Sequence, residues 1–152
     1  MKIHAFVSFD LDHDNDLELR LREQAEGPNS RVEVFDSSFR ETASDWHDKL
    51  RKRVANVDLF IVLCGAYTDH APNVHAELEL ARAAGIPYLL LEGRPGLTKK
   101  PVAASTTDRV VTWNRHTLVT VGTAVAAENF GVSTDDDNLL PSTRLARRRR
   151  KI

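Results

Sequence analysis

The sequence predicts an α/β fold: a three-layer sandwich of flavodoxin-like type, with a five-stranded parallel sheet in the strand order 2-1-3-4-5. Two observations favour this class. Short apolar segments alternate nearly five times with segments of helical period. Two of the apolar segments, 58–65 and 86–92, are continuously hydrophobic, which is typical of parallel strands that are covered on both faces.

The first strand and the first helix follow from the opening of the chain. KIHAFVSF (2–9) is rich in Val, Ile and Phe and is followed by acidic residues, which indicates a strand. Asp12 or Asp14 can cap a helix that runs to about Glu26 and carries leucines four residues apart. The breaker sequence GPNS (27–30) ends this helix.

The next strand and helix are separated by a polar loop. RVEVFD (31–36) is the second strand, and the loop that begins at Ser37 leads to Ser44, a good N-cap for a helix. That helix is predicted to present one apolar face, formed by Trp46, Leu50, Val54 and Val57.

Three further strands are predicted from apolar and β-branched runs: DLFIVLCG (58–65), IPYLLLE (86–92) and RVVTW (109–113). Pro72 suits the first position of a helix that runs to Ala84, and Gly85 suits its C-terminal cap. A last helix is predicted around residues 114–128.

The composition indicates one globular domain and a polar tail. A chain of 152 residues with 41% hydrophobic and 28% charged residues suits a single core. The domain is predicted to span residues 1–130, and residues 131–152 are predicted to form a disordered polar and basic tail. Because the chain shows no signal segment and no apolar run near the roughly 20 residues of a membrane span, we expect a soluble, cytoplasmic protein without a membrane partner.

The charges are unevenly distributed along the chain. Residues 144–152 hold six of the 21 basic residues, which leaves 15 basic against 22 acidic residues, or −7, for residues 1–143. An acidic body argues against specific nucleic-acid binding by the domain. A single Cys excludes an intramolecular disulfide framework and a zinc site built on several cysteines.

The local motifs of several enzyme classes are absent from the sequence. The sequence has no GxGxxG, GxxxxGK[ST], GxSxG or HExxH segment. It therefore lacks the signatures of dinucleotide oxidoreductases, P-loop enzymes, serine hydrolases and zinc proteases. The acidic segment DLDHDND (10–16) resembles a metal loop. Counting from Asp12, however, Leu17 occupies the position where an EF-hand requires Gly. No metal site is therefore expected.

One predicted helix carries a carboxylate on its apolar side. Taking about 100° per residue from Val74, Glu77 falls near 300°. That position lies inside the apolar arc, between Ala81 and Ala84, whereas Glu79 falls near 140° on the polar face. A carboxylate directed towards the sheet is either a functional group or a structurally paired one.

Ligands of such sheets bind at the carboxyl ends of the strands, at the switch point beside the first strand. The residues predicted there are Phe9, Asp10, Asp36, Ser37, Ser38 and the segment that begins at Gly65.

Several of these segments resemble TIR domains. IHAFVSFD (3–10) is similar to the opening strand of that family, and WHDKLRKRVANV (46–57) with the segment 58–81 resembles the region from its second helix to its third. RVVTWNRHTL (109–118) is similar to the TIR-like branch of the Thoeris anti-phage system. The resemblance covers about residues 2–128.

The resemblance implies an enzyme that cleaves NAD, with Glu77 as its catalytic residue. The substrate-binding residues that we predict are Phe9, Asp10, Asp36, Ser37, Ser38, Trp46 and Asn73. Phe9 would flank the nicotinamide or its ribose, and Trp46 would line the same cleft. Asn73 departs from the family, which commonly has Trp at that position.

The resemblance also implies products and partners. NAD is the substrate, no cofactor is expected, and the product is a cyclic ADP-ribose-type signal or ADP-ribose. The implied partners are a phage-derived activator, an effector protein that responds to the product, and a second copy of the chain in a homo-oligomer. Two alternatives stay open: a non-catalytic TIR-like interaction module, and an enzyme similar to nucleoside deoxyribosyltransferases.

Overall fold

A computed structural model describes residues 2–28, 30–34, 48, 51–52 and 56–129 of the chain. Its elements, in chain order, are β1 (Ile3–Ser8), α1 (Asn15–Ala25), β2 (Val32–Val34), β3 (Leu59–Cys64), α2 (Pro72–Ala83), β4 (Tyr88–Glu92) and α3 (Thr117–Asn129). A short 3₁₀ turn, Thr68–His70, precedes α2. The α/β class predicted from the sequence is confirmed.

The sheet has four parallel strands in the order β2-β1-β3-β4. The prediction of five strands in the order 2-1-3-4-5 is wrong, because the segment 109–113 contributes only a bridge between Val111 and Leu91. On both sides of the bridge the backbone is engaged in turns: the N–H of Asp108 donates to the carbonyl oxygen of Ser105 at 3.1 Å, and the N–H of Asn114 donates to Thr117 Oγ1 at 2.8 Å. Trp113 turns towards α1, where its Nε1 donates to Gln24 Oε1 at 2.6 Å and the guanidinium of Arg20 lies 4.2 Å above its ring.

Two hydrophobic clusters cover the two faces of the sheet. Alternate strand residues such as Val7 and Ile61 pack with α1 and α3 on one face. The intervening residues, such as Phe6 and Phe60, pack with α2 on the other face, and these two rings stack with centroids 5.1 Å apart. The alternation follows from the two-residue period of a strand. It directs Ser8, which continues the Phe6 series, towards the α2 side.

Helix ends agree with the sequence in one case and depart from it in another. Pro72 is the first residue of α2, and Gly85 follows the helix with φ of 72°, as predicted. Asp14 precedes α1 but its side chain makes no cap hydrogen bond. The prediction of an Asp14 side-chain cap is wrong, because the carboxylate accepts a hydrogen bond from Arg94 at 3.2 Å instead.

Several predictions fall outside the described residues. They concern Asp36, Ser37, Ser38, Trp46 and the tail 131–152. Asp48, Arg51 and Lys52 are helical, in agreement with the predicted second helix, whereas Val57 is buried but not helical. None of the helices in the described ranges has the length and apolar character that crossing a membrane requires.

Candidate active site

The carboxylate of Glu77 lies at the carboxyl end of β1. Helix α2 buries this side chain against the sheet, and Glu77 is 0% exposed. Ser8, the last residue of β1, donates its hydroxyl hydrogen to Glu77 Oε1 at 2.7 Å. Ser8 and Glu77 are 69 residues apart in the chain. Their hydrogen bond therefore joins two distant elements, α2 and β1. The inward orientation predicted for Glu77 from the helical period is confirmed.

Asn73 connects the same strand end to Glu77. It lies one turn before Glu77 in α2, and its Nδ2 donates to the carbonyl oxygen of Phe9 at 2.8 Å. The same amide is 3.4 Å from Glu77 Oε1. Glu77 Oε1 therefore accepts from two donors, a hydroxyl and an amide, which compensates part of the cost of burying a carboxylate.

Phe9 takes part in the site through its backbone and in the core through its ring. The ring is only 6% exposed and packs in the cluster on the α1 face of the sheet. Its carbonyl oxygen faces α2 through the hydrogen bond from Asn73. The structure thus places Phe9 at the predicted strand end, with its aromatic ring directed to the opposite face from Glu77.

Asp10 continues the strand end and holds His13. Asp10 is buried, and its Oδ1 accepts from the backbone N–H of Asp12 at 3.0 Å. Its Oδ2 is 2.7 Å from Nδ1 of His13. The His13 ring lies against Tyr67, with centroids 4.4 Å apart and planes inclined by 34°. Tyr67 belongs to the turn between β3 and α2, so this contact joins the two strand ends.

A second group of charges lies at the start of α1. Arg94, in the loop after β4, donates to both carboxylate oxygens of Asp16 at 2.7 and 2.8 Å and to Asp14 Oδ1 at 3.2 Å. Burial raises the pKa of Asp14, and the charge of Arg94 offsets part of that shift. The hydrogen bond from Arg94 lowers the pKa of Asp16, which is largely exposed.

The end of β3 leaves no space for a side chain beside Asp14. A Cβ atom built on Gly65 would lie 2.1 Å from Asp14 Oδ2. The backbone N–H of Gly65 donates to Thr68 Oγ1 at 2.6 Å, which fixes the turn towards α2. Glycine at this position therefore lets α1 approach the sheet at the edge where Glu77 lies.

Two other kinds of chemistry find no support in this region. Burial raises the pKa of the Cys64 thiol, so the neutral form persists at physiological pH and Cys64 is not an activated nucleophile. Within the part of the chain that the structure describes, no group of three or more His, Cys, Asp or Glu residues is arranged to hold a metal ion.

A cavity of about 520 Å³ lies away from Glu77. It is formed by the last turn of α1, the segment before β2 and the first turn of α3. Its lining residues are Gln24, Gly27, Pro28, Ser30, Arg115, His116, Leu118 and Val119. Because α1 runs back from the carboxyl end of β1, its last turn lies at the opposite edge of the sheet from Glu77.

Hydrogen bonds bring together three of the predicted site residues, Phe9, Asn73 and Glu77, and Asp10 follows Phe9 at the same strand end. The sequence interpretation missed Ser8, His13 and Tyr67. The sequence held a signal for two of them. Ser8 shares the strand face of Phe6, and His13 follows Asp10 by three residues, a spacing at which side chains in a turn can meet.

Comparison with known proteins gives a match to a protein family and a remote likeness to solved structures. No curated protein matches the chain. Among solved structures, the chain is similar to the glutaminase domain of CTPS from Trypanosoma brucei, solved with bound acivicin. The identity is 22% and the TM-score 0.38, over 61% of this chain and 37% of that one. Likeness at this level does not bear on function.

The specific match is to a protein family. Residues 6–93 match the family described as "Thoeris protein ThsB, TIR-like domain". The matched region is more than half of the chain and contains the strand end at Phe9 and Asp10 together with Asn73 and Glu77. On this match, the chain belongs to the family of ThsB TIR-like domains from the Thoeris anti-phage system.

Proposed function

We propose that this chain cleaves the bond between nicotinamide and ribose in NAD and releases a cyclic ADP-ribose-type signal in anti-phage defence. Membership of the Thoeris family supports the defence role. The observation that carries the chemical proposal is the fully buried carboxylate of Glu77 at the strand end, held there by Ser8 and Asn73.

The chemistry requires a carboxylate in such a place. Nicotinamide leaves NAD as a neutral molecule, so its departure needs little acid catalysis. The ribose that remains develops positive charge at its anomeric carbon, and a nearby carboxylate stabilises that charge. Electrostatic stabilisation of this kind is strongest where water is excluded, because a low local dielectric screens charges less. Glu77 meets that condition, since its side chain is buried.

The remaining substrate contacts belong to the same proposal. Asp10, Asn73 and the backbone of Phe9 would lie near the substrate at this edge, together with Asp36, Ser37, Ser38 and Trp46 from the segment between β2 and β3. A pocket that excludes water favours attack by a group of the substrate itself, which gives a cyclic product instead of ADP-ribose. We further propose that a phage component triggers the reaction, that an effector protein responds to the product, and that a second copy of the chain completes the assembly.

The test is product analysis by liquid chromatography and mass spectrometry. Cells that express the wild type, Glu77→Gln or Glu79→Gln are compared before and after phage infection, for NAD and for ADP-ribose-type products. Glu79→Gln is the matched control, because Glu79 lies two residues further along the same helix with its side chain 63% exposed. We expect a cyclic ADP-ribose species with the wild type and Glu79→Gln, and none with Glu77→Gln.

Circular dichroism of the purified variants checks that Glu77→Gln retains the fold. If the three lysates are indistinguishable from cells without the protein across several phages, the proposal fails and the interaction module becomes the better interpretation. Consumption of deoxynucleosides with NAD untouched would instead indicate the deoxyribosyltransferase-like activity.

A further inference from the structure

We propose that His13, held by Asp10, is the general base that accepts a proton from a hydroxyl nucleophile during the reaction at Glu77. This inference rests on the proposed function and goes beyond it, because it assigns a second catalytic residue and a class of nucleophile. Its basis is the pairing of a buried carboxylate with a half-exposed imidazole at the strand end.

The hydrogen bond to Asp10 sets the tautomer of His13. An ionised carboxylate only accepts hydrogen bonds, so Nδ1 of His13, 2.7 Å from Asp10 Oδ2, carries the ring proton. In the neutral ring, Nε2 then keeps its lone pair and acts as the acceptor. Asp10 is buried while the His13 side chain is 50% exposed. The carboxylate therefore fixes the imidazole from inside, and the ring itself remains open to a ligand.

Tyr67 fixes the plane of the same ring. The contact of 4.4 Å between centroids places the imidazole between the end of β1 and the turn that leads into α2. Ser8, which donates to Glu77, is the last residue of β1, and Glu77 itself lies in α2. Fixing an exposed side chain costs conformational entropy. When a base is already oriented in the free protein, this entropy need not be lost during the reaction, and the barrier is lower.

The charged groups around His13 come from three elements. Asp10 contacts the ring from the end of β1, and the phenol of Tyr67 faces it from the turn before α2. Arg94, from the loop after β4, donates to the backbone carbonyl of His13 at 3.2 Å and is itself paired with Asp14 and Asp16. The imidazolium formed by proton transfer would thus have a carboxylate directly against it.

The step balances without any further reactant. The bond between the anomeric carbon and the nicotinamide nitrogen breaks, and its electron pair leaves with neutral nicotinamide. A lone pair of the nucleophile's oxygen forms the new bond to that carbon. The hydroxyl proton passes to Nε2 of His13 and then to solvent. The nucleophile is either water or a hydroxyl of the substrate, because a ring nitrogen with a free lone pair needs no base to remove a proton before it attacks.

The first experiment measures nicotinamide release and the oxygen-linked product between about pH 5 and pH 9. It uses the full chain, in extracts of infected cells. The wild-type rate is expected to rise with pH, because a general base accepts a proton only in its unprotonated form. His13→Ala is expected to lower the rate by about 10²- to 10⁴-fold and to remove this pH dependence. Added imidazole is expected to restore part of the activity of His13→Ala, which a purely structural role would not allow.

His75→Gln is the matched control. His75 is 48% exposed and lies 3.3 Å from Glu79, so it resembles His13 in exposure and in having a carboxylate partner, and its activity is expected to equal that of the wild type. If the wild type turns over NAD and Glu77→Gln does not, yet His13→Ala retains the full rate and pH profile, the role of His13 is refuted and the proposed function stands. A wild type without NAD turnover refutes both.

A second measurement is independent of activity. Nitrogen NMR of the ¹⁵N-labelled chain, with His13 assigned by comparison with His13→Gln, reports which ring nitrogen carries the proton. We expect protonated Nδ1 and bare Nε2, and loss of this preference in Asp10→Asn. Protonation of His13 at Nε2 in the neutral ring would overturn the inference, because the acceptor would then face Asp10.

Discussion

The hydrogen bond from Ser8 to Glu77 is a tertiary contact in a fully buried environment. Ser8 and Glu77 are both 0% exposed. Solvent water is therefore not in place to replace the Ser8 hydroxyl as a donor to Glu77. Without the Ser8 hydroxyl, Glu77 Oε1 would keep the longer contact with Asn73, but a buried acceptor that loses a hydrogen bond bears a cost of desolvation. The stability of the native chain should therefore depend on this hydroxyl.

We expect Ser8→Ala to lower the free energy of unfolding by about 1–3 kcal/mol, measured by urea denaturation at neutral pH. Ser105→Ala is the control, because the Ser105 hydroxyl hydrogen-bonds to the side chain and the backbone of the exposed Thr107. That variant should change stability by less than about 0.5 kcal/mol. Equal effects of the two substitutions would mean that the hydrogen bond from Ser8 to Glu77 does not contribute measurably to the free energy of unfolding.

At the same scale, the orientation of Glu77 could be predicted but its partners could not. The helical period alone placed this carboxylate on the apolar arc, and burial confirms it. Ser8, by contrast, is 69 residues from Glu77 in the chain, and a local sequence pattern does not predict a contact over that separation. The ring of Phe9 faces α1 for a similar reason, because packing of the whole sheet decides which side of the strand end it covers.

Among the elements, the loop after β4 is tied to the first turn of α1 through Arg94. One guanidinium serves two carboxylates: Asp16, which is exposed, and Asp14, which is buried. Because burial raises the pKa of Asp14, the folded chain holds a proton on this group at pH values where the unfolded chain has released it. Stability from this group therefore falls as pH rises from the unfolded pKa, about 3.9, to the folded one.

Asp14→Asn removes that titration and keeps an oxygen for Arg94. We expect the difference in unfolding free energy, variant minus wild type, to grow as pH rises through this interval, by up to about 1.4 kcal/mol per pH unit. Urea denaturation from pH 4 upwards measures it. Asp16→Asn should show the opposite sign, because the pKa of Asp16 is lowered and its stabilising pair is lost as pH falls. A difference for Asp14→Asn that is flat with pH would contradict the assignment.

The predicted elements that proved accurate are those whose signals are local. Continuous apolar runs gave β3 and β4, and Pro72 with Gly85 gave both ends of α2. The segment 109–113 has equally good strand residues, yet forms a single bridge. The backbone of Asp108 before the bridge and of Asn114 after it is engaged in turns, with Ser105 and Thr117 as partners. Strand propensity does not contain that information.

For the molecule as a whole, the described core lies within residues 3–124. The sequence places the end of the domain near residue 130. A chain that ends there is expected to unfold within about 3 °C of the full chain, the equivalent of roughly 1 kcal/mol, when both are heated in the same buffer. A much larger drop would show that residues 131–152 contribute to the packing, and the domain boundary would have to move.

The contact between Ser8 and Glu77 also has a consequence for biosynthesis. Joining residues so far apart requires closing a long loop, an entropic cost that only the assembled sheet can offset. A nascent chain emerging from the ribosome completes β1 before α2 exists, so it carries only half of the site while the 69 residues from Ser8 to Glu77 are being added. Formation of the Ser8–Glu77 site is consequently coupled to folding of α2 onto the sheet, and a stalled or truncated chain that ends before Pro72 cannot contain it.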